Sequence, residues 1–272
     1  MKVITLNTGH ADWGYDLESW SVRTANLAAS IKALDPDIVF LQEMFLIDYA
    51  SADNKLKTYM ASKGLPAADF DKLGQLIPHL PSYQHTVALI PSKDRKVPQP
   101  GLFWGLAILS KTNLTATQTI ELSYSDFDRW PRILQIAQVS IEGKDCRLFN
   151  LHLAAESQTA RHRTALEVAM QILNGDHQYA IAAGDLNETQ ATGPAMQFRV
   201  LMKESFEAAA KKIVTLDGNL VEKHSNAFRA FSDSRIDYIF TGNSFSIESS
   251  QYEYSIKTPF YSDHPMAIAE LK

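Results

Sequence analysis

Tyr179-Ala180-Ile181-Ala182-Ala183-Gly184-Asp185-Leu186-Asn187-Glu188 decides how the rest of the chain is read. A short apolar run ends in a glycine, a carboxylate and an amide. A run of that length, bounded by polar residues, reads as a buried strand, and Gly-Asp-Leu-Asn reads as its exit turn. Asp185 and Asn187 stand at i and i+2, so wherever strand geometry persists both side chains leave by one face. A carboxylate beside a neutral oxygen acceptor can hold a divalent cation and a water together. Gly, Asp and Asn are also the commonest turn residues, so the stretch alone reads equally as an ordinary strand-to-loop turn.

Working outward, the same pattern returns. Residues 3–6 are an apolar strand that ends in Asn7. A helix follows, with Ser19 as N-cap and Leu27, Ile31 and Leu34 at helical spacing; Asp35-Pro36 stops it. Residues 37–41 form a second buried strand, ending in Gln42-Glu43. A glutamate buried there is costly unless paired or bound to a metal. Helices are expected over 53–63, 67–73 and 193–210, and strands over 83–90 and 105–111. Residues 133–141 and 147–151, joined by Glu142-Gly143-Lys144, have a hairpin pattern whose second strand runs into His152. Residues 157–173 are a helix with the stripe Ala165, Leu166, Ala169, Ile172 and Leu173, closed by Asn174-Gly175. Arg161, His162 and Arg163 on its first turns read as a solvated face, with facing an anion as the alternative. Residues 211–232 read as irregular. In the strand 235–240, Asp237 falls where an apolar residue is expected, which implies a partner. Strands over 247–256 and 266–271 flank Asp263-His264.

Composition sets the bounds. The 272 residues carry a net charge of −5, are 45% apolar and contain one cysteine, Cys146, which rules out an intrachain disulfide. An acidic chain argues against tight non-specific binding of nucleic acid, which needs basic surface to release counterions. Cys146 lies in a strand-like run and reads as a core filler rather than a nucleophile. No apolar stretch reaches the ~20 residues that span a bilayer, and the start of the chain is too soon polar for a signal peptide. A cytoplasmic protein is expected. No composition break marks a linker, so residues 1–272 are expected to form one domain of two similar halves.

Taken together, these residues form a specific set. The chain resembles the endonuclease/exonuclease/phosphatase superfamily, whose members include deoxyribonuclease I, abasic-site endonucleases, inositol polyphosphate 5-phosphatases and neutral sphingomyelinases. The motifs stand in family order: Leu6-Asn7, Leu41-Gln42-Glu43, residues 105–110, Asn150-Leu151-His152-Leu153, Gly184-Asp185-Leu186-Asn187, Arg235-Ile236-Asp237-Tyr238 and Ser262-Asp263-His264. The resemblance implies an α/β four-layered sandwich, two mixed sheets flanked by helices, with the site at one end. It implies an enzyme that uses Mg²⁺ or Mn²⁺ and in-line attack of water on a phosphoester. It makes Glu43 the main metal carboxylate, aided by Asn7 and Asp263, since hard oxygen ligands suit Mg²⁺. It makes His264 the general base, held by Asp237, with His152 donating to a phosphate oxygen and Asp185 and Asn187 holding the water. An alternative assignment, in which His264 contacts the phosphate and Asp185 orients the water, stays open. Arg132 matches a less constant basic position.

The motifs give a reaction class and leave the substrate to loops. Aromatic residues there (Trp104, Trp130, Phe228, Phe231) either anchor their loops or stack on substrate, and Trp104 and Arg132 are the substrate-contact candidates. A small-molecule or lipid-headgroup phosphate ester is the expected substrate. Nuclease action on DNA or RNA is the alternative. A non-catalytic binding module on this fold would have lost metal or base residues, and none is lost. No protein partner is indicated.

Overall fold

Two of the parallel strand pairs among the described residues, each closed by a crossover helix, frame the protein. A computed structural model describes residues 1–9, 20–48, 50–62, 71–91, 101–123, 131–189, 193–216, 219–221, 234–254, 262 and 264–272. The chain begins β1 (Lys2–Asn7), α1 (Trp20–Leu34), β2 (Ile38–Gln42). β1 and β2 pair in parallel, with Asn7 opposite Gln42. There follow β3 (Leu46–Ile47), α2 (Asn54–Ser62), α3 (Lys72–Leu76), β4 (Gln84–Pro91), β5 (Leu102–Ser110), β6 (Thr115–Glu121), β7 (Ile133–Ile141) and β8 (Lys144–His152). Helix α4 (Gln158–Leu173) then carries the chain to β9 (Ala180–Asp185), which lies parallel to β8 with Asp185 opposite His152. The remainder is α5 (Gly193–Arg199), β10 (Lys203–Glu204), α6 (Ser205–Ala208), β11 (Lys211–Leu216), β12 (Asn219–Leu220), β13 (Asp237–Thr241), β14 (Ile247–Tyr254) and β15 (Met266–Leu271).

Among the described residues one sheet runs β12-β11-β14-β15-β1-β2-β5-β3, with β4 also on β5, and the other runs β10-β13-β9-β8-β7-β6. Both mix parallel and antiparallel pairs. Their inner faces share a core: Val3, Phe40 and Ile108 from the first meet Val139, Leu148, Ile181 and Ile239 from the second. α1 and α3 cover the outer face of the first sheet through Leu27, Ile31 and Leu76. α4 and α5 cover the second through Val168, Ile172 and Phe198. The layers are helix, sheet, sheet, helix. Strands buried on both faces must be apolar throughout, which is why β2 and β9 are continuous apolar runs, buried end to end.

The amides among these strands have a purpose. Gln42 Nε2 donates to Asn150 Oδ1 at 2.8 Å. Asn150 Nδ2 contacts the Leu41 and Ala107 carbonyls and Gln135 Oε1 at 2.9–3.1 Å. This polar strut crosses between the sheets directly below the end that carries the site.

Several elements depart from the sequence reading. The single helix expected over 193–210 is α5, the short β10 and the one-turn α6, and the stretch read as irregular contains β11 and β12. β6 has a mostly exposed, polar face and so lacks the apolar signature of a strand. Arg161 is not on a solvated face. Its Nη1 donates to the Ala154 and Ala155 carbonyls at 2.7 and 2.9 Å, and its Nε to Glu188 at 2.9 Å. Cys146 is a core filler, as expected.

Candidate active site

The parallel pairs deliver their polar ends to the same edge of the sandwich. Asn7 and His152 are the last residues of β1 and β8, Asp185 the last of β9, and Glu43 follows β2 directly. β13 runs antiparallel to β9 and starts at Asp237, opposite Asp185. Asp185 is therefore flanked in register by His152 on one side and Asp237 on the other. The chain turns sharply at this edge: Glu43 and Asn187 have φ of 58° and 51°, a left-handed region that non-glycine residues enter rarely and that clusters at functional sites. Gly184, at φ +149°, lies where a Cβ would come within 1.8 Å of the Leu151 carbonyl oxygen. Glycine is required there to let β9 run against β8.

Asn7 stands at the centre. Its Nδ2 donates to Asp185 Oδ2 at 2.9 Å and Glu43 Oε1 at 3.1 Å and lies 3.4 Å from His264 Nε2. Its Oδ1 accepts from the Gly9 amide at 3.0 Å. His264 Nδ1 is 3.0 Å from Asp237 Oδ2 and 3.8 Å from Asp185 Oδ2. Ser262 fixes this histidine, its hydroxyl donating to the Asn7 carbonyl and accepting from the His264 amide. His152 Nε2 lies 3.5 Å from Asp185 Oδ2 and 4.0 Å from Glu43 Oε1. Asn187 does not continue the strand geometry. Its backbone amide donates to Asp185 Oδ1 at 2.6 Å and its side chain to the Leu153 carbonyl at 2.9 Å.

Burial makes the charges consequential. Glu43 and Asp237 are 6% and 0% exposed. Burial first, then the charge of Asp237, push the Asp185 carboxyl up to about 7, against the pull of His264 and the hydrogen bonds from Asn7 and Asn187. Burial alone would lower the His264 pKa. The Asp237 carboxylate and its hydrogen bond, with Asp185 and Glu43 behind, reverse that and hold it well above its ordinary value. Crowded buried carboxylates on hard oxygen donors fit a divalent cation. Atoms of Asp185, Asp237 and His264 lie within 4.8 Å of one another. The 3.0 Å contact between Asp237 and His264 is a hydrogen bond, however, and Asp237 does not line the cleft. Glu43 and Asp185 are the buried carboxylates that face the open space, with the exposed Glu156 on its rim.

That space is a cleft of about 150 Å³ lined by Asn7, Glu43, Trp104, Arg132, His152, Ala155, Glu156, Asp185, Asn187 and His264. The structure thus brings Asn7, Glu43, His152, Asp185, Asn187, Asp237 and His264 together. Asp263 lies outside the described residues, as do Trp130, Phe228 and Phe231. Arg132 and Trp104 reach the cleft, but as walls. Trp104 is 2% exposed, edge-on to Phe45 at 4.7 Å and 5.6 Å from the His152 ring. The sequence reading missed Glu156 on the rim. Its only signal was its place between the polar end of β8 and the Ser157 cap of α4.

A two-sheet sandwich with an acid–histidine cluster at one end is the deoxyribonuclease-I-like architecture of phosphoester hydrolases. Residues 4–264 match the Endonuclease/Exonuclease/phosphatase family, and the chain belongs to it. Its members are phosphoester hydrolases, nucleases or phosphatases, and this chain is an enzyme of that class. An endonuclease/exonuclease/phosphatase from Bacteroides vulgatus superposes with a TM-score of 0.72 at 20% identity, over 100% of this chain and 98% of that one. A Bacteroides thetaiotaomicron mannosyl-6-phosphatase gives 0.68 at 20%, over 100% and 99%. The human nocturnin catalytic domain with bound sulfate gives 0.65 at 18%, over 100% and 94%. At these identities the likeness is one of fold. No curated protein matches the chain. No helix among the described residues is long and apolar enough to cross a membrane.

Proposed function

We propose that the protein is a Mg²⁺-dependent hydrolase of small phosphate esters, acting by in-line attack of water. Mn²⁺ is an acceptable substitute. The observation that carries this is the Asp237–His264 pair at 3.0 Å, set against the carboxylates of Glu43 and Asp185 across one small cleft. Asp237 holds His264 by Nδ1 and leaves Nε2 for the water; a bound cation would offset the carboxylates that keep the ring protonated in the metal-free protein, and Nε2 could then act as the base. Glu43 would hold the cation, with Asn7 contributing its oxygen after rotation of the amide, and Asp263 supporting. The cation would supply Lewis-acid stabilisation of the phosphoryl oxygens. His152 and Asn187 would bind non-bridging oxygens, and Asp185 would orient the water. Arg132 and Trp104 would form the substrate wall.

A cleft of about 150 Å³ suits one phosphoryl group with its waters. The net charge of −5 disfavours a polyanion, and the mannosyl-6-phosphatase shares the fold. The charge and the mannosyl-6-phosphatase likeness favour a sugar, inositol or lipid-headgroup phosphate over nucleic acid. A single domain over residues 1–272 and a cytoplasmic setting go with this reading.

The test is hydrolysis of a mixed panel: supercoiled plasmid, abasic-site duplex, RNA, an aryl phosphodiester and several sugar, inositol and lipid phosphates. Turnover of small phosphates should vanish with chelator and fall by about 10²–10⁴ in kcat for His264→Ala. Plasmid or RNA cleavage that is lost in the same variant would instead make the protein a nuclease. Glu43→Ala should weaken metal binding, and unchanged metal affinity would remove Glu43 as ligand.

A further inference from the structure

Glu43 holds a left-handed backbone conformation, φ 58°, at a position no glycine relieves. Such a residue persists only where its surroundings over-determine it. The surroundings here are Thr8 and Lys72. The one Thr8 hydroxyl proton is shared between the carbonyls that flank the Glu43 Cα, Gln42 O at 2.9 Å and Glu43 O at 3.1 Å. The Thr8 amide also donates to Gln42 O, at 3.1 Å. The same hydroxyl accepts from Lys72 Nζ at 3.4 Å, and that ammonium donates to Gly9 O at 2.7 Å. The Lys72 backbone amide donates to Phe45 O at 3.1 Å. One lysine therefore ties the segment after β1, next to Asn7, to the segment after β2, which carries Glu43.

Lys72 is 0% exposed. A buried ammonium is costly unless its surroundings compensate it. It lies 4.8 Å above the Trp20 ring and 5.2 Å from that of Phe45. Arg23, also buried, faces Trp20 at 5.0 Å and donates to Thr8 O at 3.0 Å. Two cations so placed do not serve packing alone, since apolar side chains would fill the same space at less cost. Among the described residues both reach the Thr8–Gly9 segment, and Gly9 in turn holds the Asn7 amide.

We propose that Thr8 and Lys72 are positioning residues that clamp Glu43 in its strained conformation and so aim its carboxylate into the cleft. This rests on the reading of Glu43 as the residue that holds the cation. The test is Mn²⁺ affinity of the purified protein by electron paramagnetic resonance, with no substrate present, for wild type, Thr8→Val, Thr8→Ser, Lys72→Met and Glu43→Gln. Outer residues that orient a ligand are worth about 10–100-fold in metal affinity. Thr8→Val, which keeps volume and loses the hydroxyl, should weaken Mn²⁺ binding by about 10-fold, with Thr8→Ser restoring it. Lys72→Met, which keeps the stem between the two rings, should weaken it in the same direction and remains readable if Thr8→Val does not fold. In both variants the deficit in turnover should narrow as Mg²⁺ is raised. Wild-type affinity in Thr8→Val and Lys72→Met, with loss in Glu43→Gln, would overturn the clamp and leave the metal assignment standing. Wild-type affinity in Glu43→Gln would overturn both.

Discussion

At the scale of single residues, the decisive contact is the one between Asp237 and His264. Asp237 is wholly buried and accepts from the ring at 3.0 Å, which fixes the tautomer and supports a charged ring. Asp237→Asn keeps the shape and removes the charge. Burial would then dominate, and the His264 pKa of the metal-free protein should fall from well above 6.5 towards or below it. An NMR titration of the imidazole nitrogens reads this directly. An unchanged titration would mean that Asp185 and Glu43, not Asp237, hold the proton. Turnover should drop by about 10²-fold or more, because the base loses its orientation. Asp237 was legible as a residue in need of a partner, since it interrupts an apolar alternation. Its partner was not legible from pattern, because His264 lies on a loop before β15, far along the chain. Only the order of the family motifs joined them. Arg161 was misread for a related reason: its helical position is ordinary, and only the fold shows that carbonyls from the β8–α4 loop surround its guanidinium.

At the scale of elements, the two parallel units carry most of what the sequence announced. In β1–α1–β2 and β8–α4–β9 the apolar runs of β1, β2 and β9 and the striped or capped helices are strong local signals, and β8 shows in its hairpin pattern with β7. β6, β10, β11 and β12 were missed because β6 is polar and mostly exposed along its length, β10 and β12 are two residues long, and β10 and β11 pair with β13 and β14, which are distant in sequence. The strut between the sheets was missed too, for amides inside strands look like defects until both sheets are in place. Asn150→Leu tests its importance. The substitution would leave Gln42, Gln135 and two backbone carbonyls short of buried partners, each worth about 1–3 kcal/mol. A loss of about 3 kcal/mol or more in urea unfolding is expected. A loss below 1 kcal/mol would show that water or relaxation replaces the strut.

At the scale of the whole molecule, the site is where the sandwich collects charge it cannot bury cheaply. Strand ends from both sheets bring Glu43, Asp185 and Asp237 to one edge, so in the metal-free protein protons must do part of the work of a cation. The sign of the resulting pH dependence is fixed. Burial and then the Asp237 charge push the Asp185 carboxyl up from an ordinary 3.8 to about 7, and the surrounding carboxylates hold His264 well above 6.5. Both groups hold protons in the fold that the unfolded chain releases at lower pH, so their stabilisation is complete below the unfolded values and is lost as pH rises through the folded ones. With chelator present, the midpoint of thermal unfolding should therefore fall as pH is raised from 5 through 7 and on towards 9, across the range where Asp185 and then His264 deprotonate. Asp185→Asn removes one titrating group and lowers the charge on the other, so the decline should be shallower in that variant. Millimolar Mg²⁺ should raise the midpoint most at the alkaline end, because a cation competes with protons for the same carboxylates. A midpoint that rises over this interval in the chelated wild type, or a slope unchanged in Asp185→Asn, would mean that the buried carboxylates are balanced by other charges and that the edge of the sandwich does not depend on a cation.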